Sequence, residues 1–279
     1  MAVLKYSLVI IILLIVVWPL YWMVQGSFQD SQGLMKMPPN IVPGEVSLSN
    51  YARLWRGRSE IYGGETYVLR WFVNSCVMVA VGVPISIGMS ILAGYAFSIF
   101  EFPGRKLIFM LFMAALMLHT YMLIIPIYVV VSKLHLPTVL RVTLPMAFNP
   151  FGIFFAKNYI DKIPHSLVDI ARVEGVGELR IATQLYVPMC KPLIGLLTLF
   201  QGLGIFGDYL WQMLNLHRIE DKTLPVGLIL RVREMDIWDF NPLGLGLAAG
   251  TILFGIMVAI FAATSKYFTE GLNLGGVKE

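Results

Sequence analysis

Charge is what this chain has least of. Of its 279 residues only 14% are Asp, Glu, Lys or Arg, while 57% are hydrophobic and the mean hydropathy is +0.74. A soluble domain carries roughly 25% charged residues, so the composition excludes a soluble globular protein and implies an integral membrane protein. Histidine is also scarce. The four present form no metal-ligand spacing, and no Asp pair stands at helical spacing within an apolar run, so the usual signs of an intramembrane enzyme are missing. No G-x-x-x-x-G-K-[ST] phosphate loop occurs, so nothing points to an ATP site on this chain. The two cysteines, Cys76 in an apolar run and Cys190 beside a charged one, are not expected to form a disulfide. The net charge of +4 is spread over many loops rather than gathered in a stripe, which argues against nucleic acid as a partner.

Long apolar runs fill the space that charge leaves. A bilayer core of about 30 Å needs roughly 20 apolar residues in a helix, and six candidate spans follow: 6–24, 71–100, 107–132, 142–156, 192–207 and 240–265. The first ends in Trp18, Tyr21 and Trp22, an interfacial aromatic belt. A cleaved signal peptide is the alternative there, but the run is long and lacks a small-x-small cleavage site, which favours a retained span. The second run would reach about 45 Å as a single helix, so it must tilt, bend or protrude, and Pro84 marks a kink. The fourth and fifth runs qualify when Arg141 and Asp208 are accepted at their outer ends. Six spans place both termini on one side. The 21 Lys and Arg divide almost evenly between the two sides, so charge alone does not choose which side is cytoplasmic. Residues 28–70, with Pro38, Pro39, Pro43 and Gly63-Gly64, read as a long connection packed on the outer helix ends.

One stretch breaks the apolar pattern. "DIARVEGVGELRIATQLYVPMCKP", residues 169–192, carries Asp169, Arg172, Glu174, Glu178, Arg180 and Lys191. Just upstream, Ser166 followed three residues later by Asp169 has the capping-box spacing of a helix start. Leu167, Ile170, Ala171 and Glu174 share one face of that helix, Asp169 and Arg172 the other, where they can pair at i, i+3. Gly175 is expected to end the helix as a C-terminal cap, and a second helix over 178–186 to return the chain to the next span. Two readings fit this short amphipathic element: an interfacial helix lying among headgroups, or a rigid knob offered to a groove on a soluble partner.

The same stretch resembles the "EAA" loop of permease subunits of bacterial ATP-binding cassette importers. Asp169-Ile170-Ala171 stands for the first triplet, Glu174-Gly175-Val176 for the second, and Val187-Pro188 with Lys191-Pro192 for the end, all at the family spacing. The departures are Asp for Glu, Ile for Ala, Glu for Asp, Val for Ala and Val for Leu. "NSCVMVAVGVPISIGMSILAGYAFSIFEFPGR", "FGDYLWQMLNL" followed by "KTLPVGLIL", and the terminal "KYFTEGLNLGGVKE" are similar to the carbohydrate-uptake members, in particular the maltose-type second permease.

That resemblance implies an all-α membrane protein of the type I importer permease fold: a single transmembrane permease domain over 1–279 with six spans. It places an extracytoplasmic connection at 28–70, a cytoplasmic coupling loop at 161–191 and an extracytoplasmic loop at 216–239. It implies a bacterial inner-membrane location with both termini cytoplasmic, and no enzyme activity of its own. The expected partners are a second, homologous permease, two copies of a cytoplasmic ATP-binding subunit that carries ATP and Mg, an extracytoplasmic solute-binding protein and membrane lipid. Leu167, Asp169, Ile170, Ala171, Glu174 and Gly175 are then the ATPase-docking residues, with capping alone as the other role for Asp169. Gly275, Gly276 and Lys278 in the tail are candidates for a further ATPase contact, a frayed terminus being the other reading. Asp208, Tyr209, Trp211, His119 and Tyr121 are candidates for pathway or binding-protein contact, with interfacial pairing, core packing and belt anchoring as the bland alternatives. For Asp208 the bland partners are Arg218 or backbone amides. A secondary transporter or channel is the rival function, which would need coupling acids or a filter in the spans.

Overall fold

The computed structural model describes residues 2–36, 42, 46–56, 66–236 and 242–273, and no strand occurs among them. The principal helices are α1 (Ala2–Gly26), α2 (Ser49–Arg56), α3 (Val68–Ile99), α4 (Arg105–Leu116), α5 (Ile124–Lys133), α6 (Thr138–Ala147) and α7 (Pro150–Ile160). They continue with α8 (Ser166–Val173), α9 (Glu178–Met189), α10 (Lys191–Gly207), α11 (Leu210–Asn215), α12 (Leu224–Asp236) and α13 (Pro242–Asn273).

Three helices are long and apolar enough to cross a membrane alone: Lys5–Gly26 within α1, α3, and Leu243–Ser265 within α13. The pairs α6 with α7, bent by 51°, and α9 with α10, bent by 82°, raise the number to five if each pair is one crossing. Proline chemistry accounts for both bends. Pro150 disfavours helical backbone at the residue before it, and Asn149 is extended, with its side chain accepting the Phe151 N–H at 3.0 Å as an N-cap. Pro188 and Pro192 each remove a backbone donor around the second bend, and the turns over Ile181–Tyr186 widen to π geometry just before it. The candidate run 107–132 differs from expectation. It is two short helices, α4 and α5, separated by a 3₁₀ turn at Thr120–Met122, because Pro126 cannot donate to the Met122 carbonyl and fits only the first turn of a new helix. Pro84, by contrast, does not interrupt α3.

The chain divides into two compact units, each discontinuous in sequence: 1–74 with 218–258, and 75–217 with 259–279. In the first, buried Asn50 donates to the Ser27 and Gln29 carbonyls at 3.0 and 2.8 Å, holding α2 to the end of α1. Trp71 donates its indole N–H to Ile219 O at 2.7 Å, and Asn74 donates to the Glu220 and Lys222 carbonyls. Arg218 pairs with Glu220.

The second unit holds two apolar clusters. One gathers Met78, Val83, Val131, Val142, Ile205 and Trp211. The other gathers the end of α3 (Ile91, Tyr95) with α7, α8, α9 and α10, and Val168, Ile181 and Tyr186 lie at its centre. Helices α3 and α7 touch at Gly94, where a Cβ would stand 2.5 Å from Ala156 Cβ and 2.8 Å from the Lys157 backbone nitrogen, so only glycine permits the approach. Nearby, Asp161 accepts from Lys157 Nζ at 2.5 Å and from Ser98 Oγ at 2.6 Å.

Candidate functional site

The second unit carries both groups of residues singled out above. The charged loop begins with α8. Ser166 is its first helical residue, the N-cap is His165, and no side chain caps the start, so the expected capping box does not form. The C-terminal end matches expectation closely. Gly175 has φ +78°, its N–H donates to Arg172 O at 3.0 Å, and the Val176 N–H donates to Ala171 O at 3.0 Å, the paired bonds of a Schellman motif.

The face assignment of α8 is corrected by its packing. Leu167, Val168 and Ala171 turn into the apolar cluster, with Val168 only 1% exposed. Ile170 stands out at 57% and Val173 at 90% exposure, flanked by exposed Asp169 and Glu174. A helical wheel groups Ile170 with Leu167 and Ala171 but cannot say which edge of an apolar arc meets the protein's own core. Val173 was not among the expected docking residues; its signal is its spacing, i+3 from Ile170. Leu179, on the first turn of α9, is also 69% exposed.

An electrostatic strut ties this knob to a long helix. Arg172 Nε donates to Glu178 Oε1 at 2.6 Å, while its Nη1 lies a looser 3.8 Å from Asp169. Tyr95 of α3, 3% exposed, donates its hydroxyl to Glu178 Oε2 at 2.8 Å. The Tyr95 ring meets Tyr186 and Phe100 edge-on at 5.1 and 5.6 Å. The Arg172 hydrogen bond first, with that of Tyr95 and against some burial, holds the Glu178 carboxyl below the usual carboxylate range. Glu178 thus joins α8, α9 and α3 through one carboxylate.

The second feature is a cavity of about 350 Å³ where the chain leaves helical geometry at both Asn149 and Asp208. Irregular backbone within an apolar helical protein is tolerated where it lines a cavity. Tyr121, Asp208 and Trp211, three of the five pathway candidates, line it together with Asn149 and Gln201. Asp208 accepts the Gln212 N–H at 3.0 Å, so its partner is backbone amide rather than Arg218. Trp211 is a fixed wall, its indole N–H donating to Val142 O at 2.9 Å. Asn149 Nδ2 donates to Gln201 Oε1 at 2.9 Å, and Gln201 Nε2 donates to Met146 O at 2.5 Å. Neither amide was expected at the site. Their signals are an Asn preceding Pro150 at a helix break and an isolated polar residue in the charge-free run 192–207. His119 and Tyr209 are not among the lining residues; the His119 ring lies tilted against Tyr121, with centroids 5.0 Å apart. Gly275, Gly276 and Lys278 lie outside the described residues, as do parts of 28–70 and the end of 216–239.

Apolar helices with no strand among the described residues, bends at Pro150 and around Pro188 and Pro192, a cavity with a few polar groups on its wall, and a charged knob between α7 and α9 define a multi-pass α-helical membrane protein. No family model matches the chain. Individual proteins do. Over 273 residues it is 30% identical to the arabinooligosaccharides transport system permease protein of Bacillus subtilis (strain 168), covering 95% of this chain and 92% of that protein. It is 29% identical over 278 residues to the galactooligosaccharides transport system permease protein of the same organism, covering 98% and 94%. Its fold matches a crystal structure of a bacterial ABC transporter involved in the import of the acidic polysaccharide alginate, with a TM-score of 0.74, 18% identity and 96% of each chain covered. The chain belongs to the family of ABC importer permease subunits. Such subunits are not enzymes, the ATPase being a separate chain, and the rival reading as a secondary transporter or channel has no support.

Proposed function

We propose that this chain forms part of the translocation pathway of an ATP-driven oligosaccharide importer and receives its driving force through the exposed face of α8. The observation that carries the reading is the pairing of two exposed apolar side chains, Ile170 and Val173, with a strut from Arg172 through Glu178 to Tyr95. A partner that grips the knob then pulls on a long apolar helix rather than on a loose loop. Asp169 and Glu174 flank the apolar pair as charged edges that fix register, while Leu167, Ala171 and Gly175 hold the helix in shape. Nucleotide and Mg belong to the ATP-binding subunits, two copies of which dock from the cytoplasm. A second, homologous permease completes the pathway and an extracytoplasmic binding protein delivers solute. In this arrangement 161–191 and both termini are cytoplasmic in a bacterial inner membrane, 28–70 and 216–239 face outward, and α4 with α5 makes the sixth crossing of a single permease domain. The tail residues Gly275, Gly276 and Lys278 then sit on the ATPase side. The carbohydrate class is supported by likeness to the two oligosaccharide permeases.

In this reading access alternates: closure of the ATPase dimer moves the docked knobs, and a shift in helix packing switches the pathway between inward-open and outward-open states. Reconstitution with the partner subunits tests the reading. Val173→Asp and Ile170→Asp should abolish ATP-driven uptake and release the ATPase subunit, with the thermal midpoint of the permease unchanged because neither side chain is in a core. Uptake without ATP, or an ATPase subunit still bound to the double variant, overturns it.

A further inference from the structure

We propose that Asp208 makes its cavity a charge filter, admitting uncharged polyhydroxylated solutes and holding back anionic ones such as uronates and phosphorylated sugars. The inference rests on the reading of this cavity as part of the pathway. Its volume, about 350 Å³, falls within the roughly 300–1,000 Å³ of small-molecule sites. Its polar wall consists of the Asp208 carboxylate, the Asn149 and Gln201 amides and the Tyr121 hydroxyl, and none of the lining residues is Lys, Arg or His.

Three of these groups, Asp208, Asn149 and Gln201, are held in place. Asp208 is fixed by the Gln212 N–H at the start of α11, and the two amides orient one another. A carboxylate offers about four acceptor positions, so the bond to Gln212 leaves capacity for solute hydroxyls. The amides present donors and acceptors of the same kind as a sugar's own. A neutral polyol therefore finds partners for its hydroxyls, whereas an anion meets a like charge with no cation on this wall to offset it. Two unit charges about 6 Å apart interact appreciably at an effective dielectric near 20, and partial exposure and salt reduce this without removing it.

Gly204 provides a probe position. It lines the cavity one helical turn before Asp208, is exposed, and an added Cβ meets nothing within 4 Å. In the assembled importer with exposed Cys76 replaced by Ser, the Gly204→Cys thiol is titrated with cationic and anionic methanethiosulfonate reagents of similar size. The expected result is a rate ratio favouring the cation on the order of 10-fold beyond that of a free thiol, collapsing to the free-thiol ratio in Asp208→Asn and restored in Asp208→Glu. Asn keeps a carbonyl to cap α11, so the fold is preserved in the comparison. A reactive thiol whose ratio ignores Asp208→Asn overturns the filter and leaves the pathway intact. A thiol that reacts with neither reagent, with or without ATP, overturns the pathway reading of the cavity and the filter with it.

Discussion

Removing the Glu178 carboxylate is the sharpest perturbation of the coupling geometry. Glu178→Ala strands the Tyr95 hydroxyl, which is 3% exposed and has Glu178 as its acceptor at 2.8 Å. A buried group left unpaired costs about 1–3 kcal/mol. The lost Arg172 pair adds less, about 0.2–1 kcal/mol, because both side chains are 40% exposed. A total near 2 kcal/mol corresponds to an increase of about 30-fold in the population in which the knob is detached from α3. Glu178→Gln keeps an acceptor for Tyr95 and should cost roughly half as much. Tyr95→Phe removes the hydroxyl together with its bond, so it leaves nothing stranded and should cost least, on the order of 1 kcal/mol or below. Amide hydrogen exchange over 166–178 in the purified complex reads the detached population, and the ratio of solute imported to ATP hydrolysed reads its consequence. Exchange and coupling ratio should worsen in the order Tyr95→Phe, Glu178→Gln, Glu178→Ala. Unchanged exchange and an unchanged ratio in Glu178→Ala would refute the strut, and so would Tyr95→Phe proving the worst of the three.

Three further outcomes concern the glycines of the loop and of α3 and the acid response of Glu178. Gly175→Ala forces a side chain into backbone at φ +78° and should destabilise the loop by about 1 kcal/mol; Gly177→Ala, at φ −68° with open space around it, should not, and equal protease sensitivity of the two variants would contradict the Schellman assignment. Gly94→Ala drives a methyl against Ala156 and the Lys157 backbone and should lower stability by about 1–3 kcal/mol, seen as a lower melting temperature in detergent, whereas Gly88→Ala in the same helix meets nothing within 4 Å and should not lower it. The Glu178 carboxyl, depressed chiefly by Arg172, supports the folded loop fully at neutral pH; that support is lost only as pH falls below the ordinary carboxylate value of about 4.3. Loop exchange, corrected for its intrinsic rate, should therefore be flat between pH 6 and 8 on the order of these reference values and rise in acid, and a rise of equal size in Glu178→Gln would assign it to another group.

Local chemistry determined much of this protein by itself. The dearth of charge dictates a membrane solvent, because too little polar surface exists to cover a soluble domain. Pro192 marks a helix start and Gly175 a helix end, because dihedral limits act within a few residues of the chain, whereas the run 142–156 reads as continuous and gives no sign of its bend at Pro150. The charged loop was legible as a short amphipathic helix for the same reason. Which of its edges faces outward was not, since Val168 is buried and Val173 exposed only by what α3, α7 and α9 place beneath them. The continuous apolar run 107–132 also concealed a break that Pro126 imposes. Only tertiary structure joins Glu178 to a tyrosine 83 positions earlier, or brings Tyr121, Asn149, Gln201 and Asp208 around one cavity. Helical periodicity is a property of near neighbours, whereas the partner of a buried hydroxyl or the wall of a cavity is chosen by how whole helices pack.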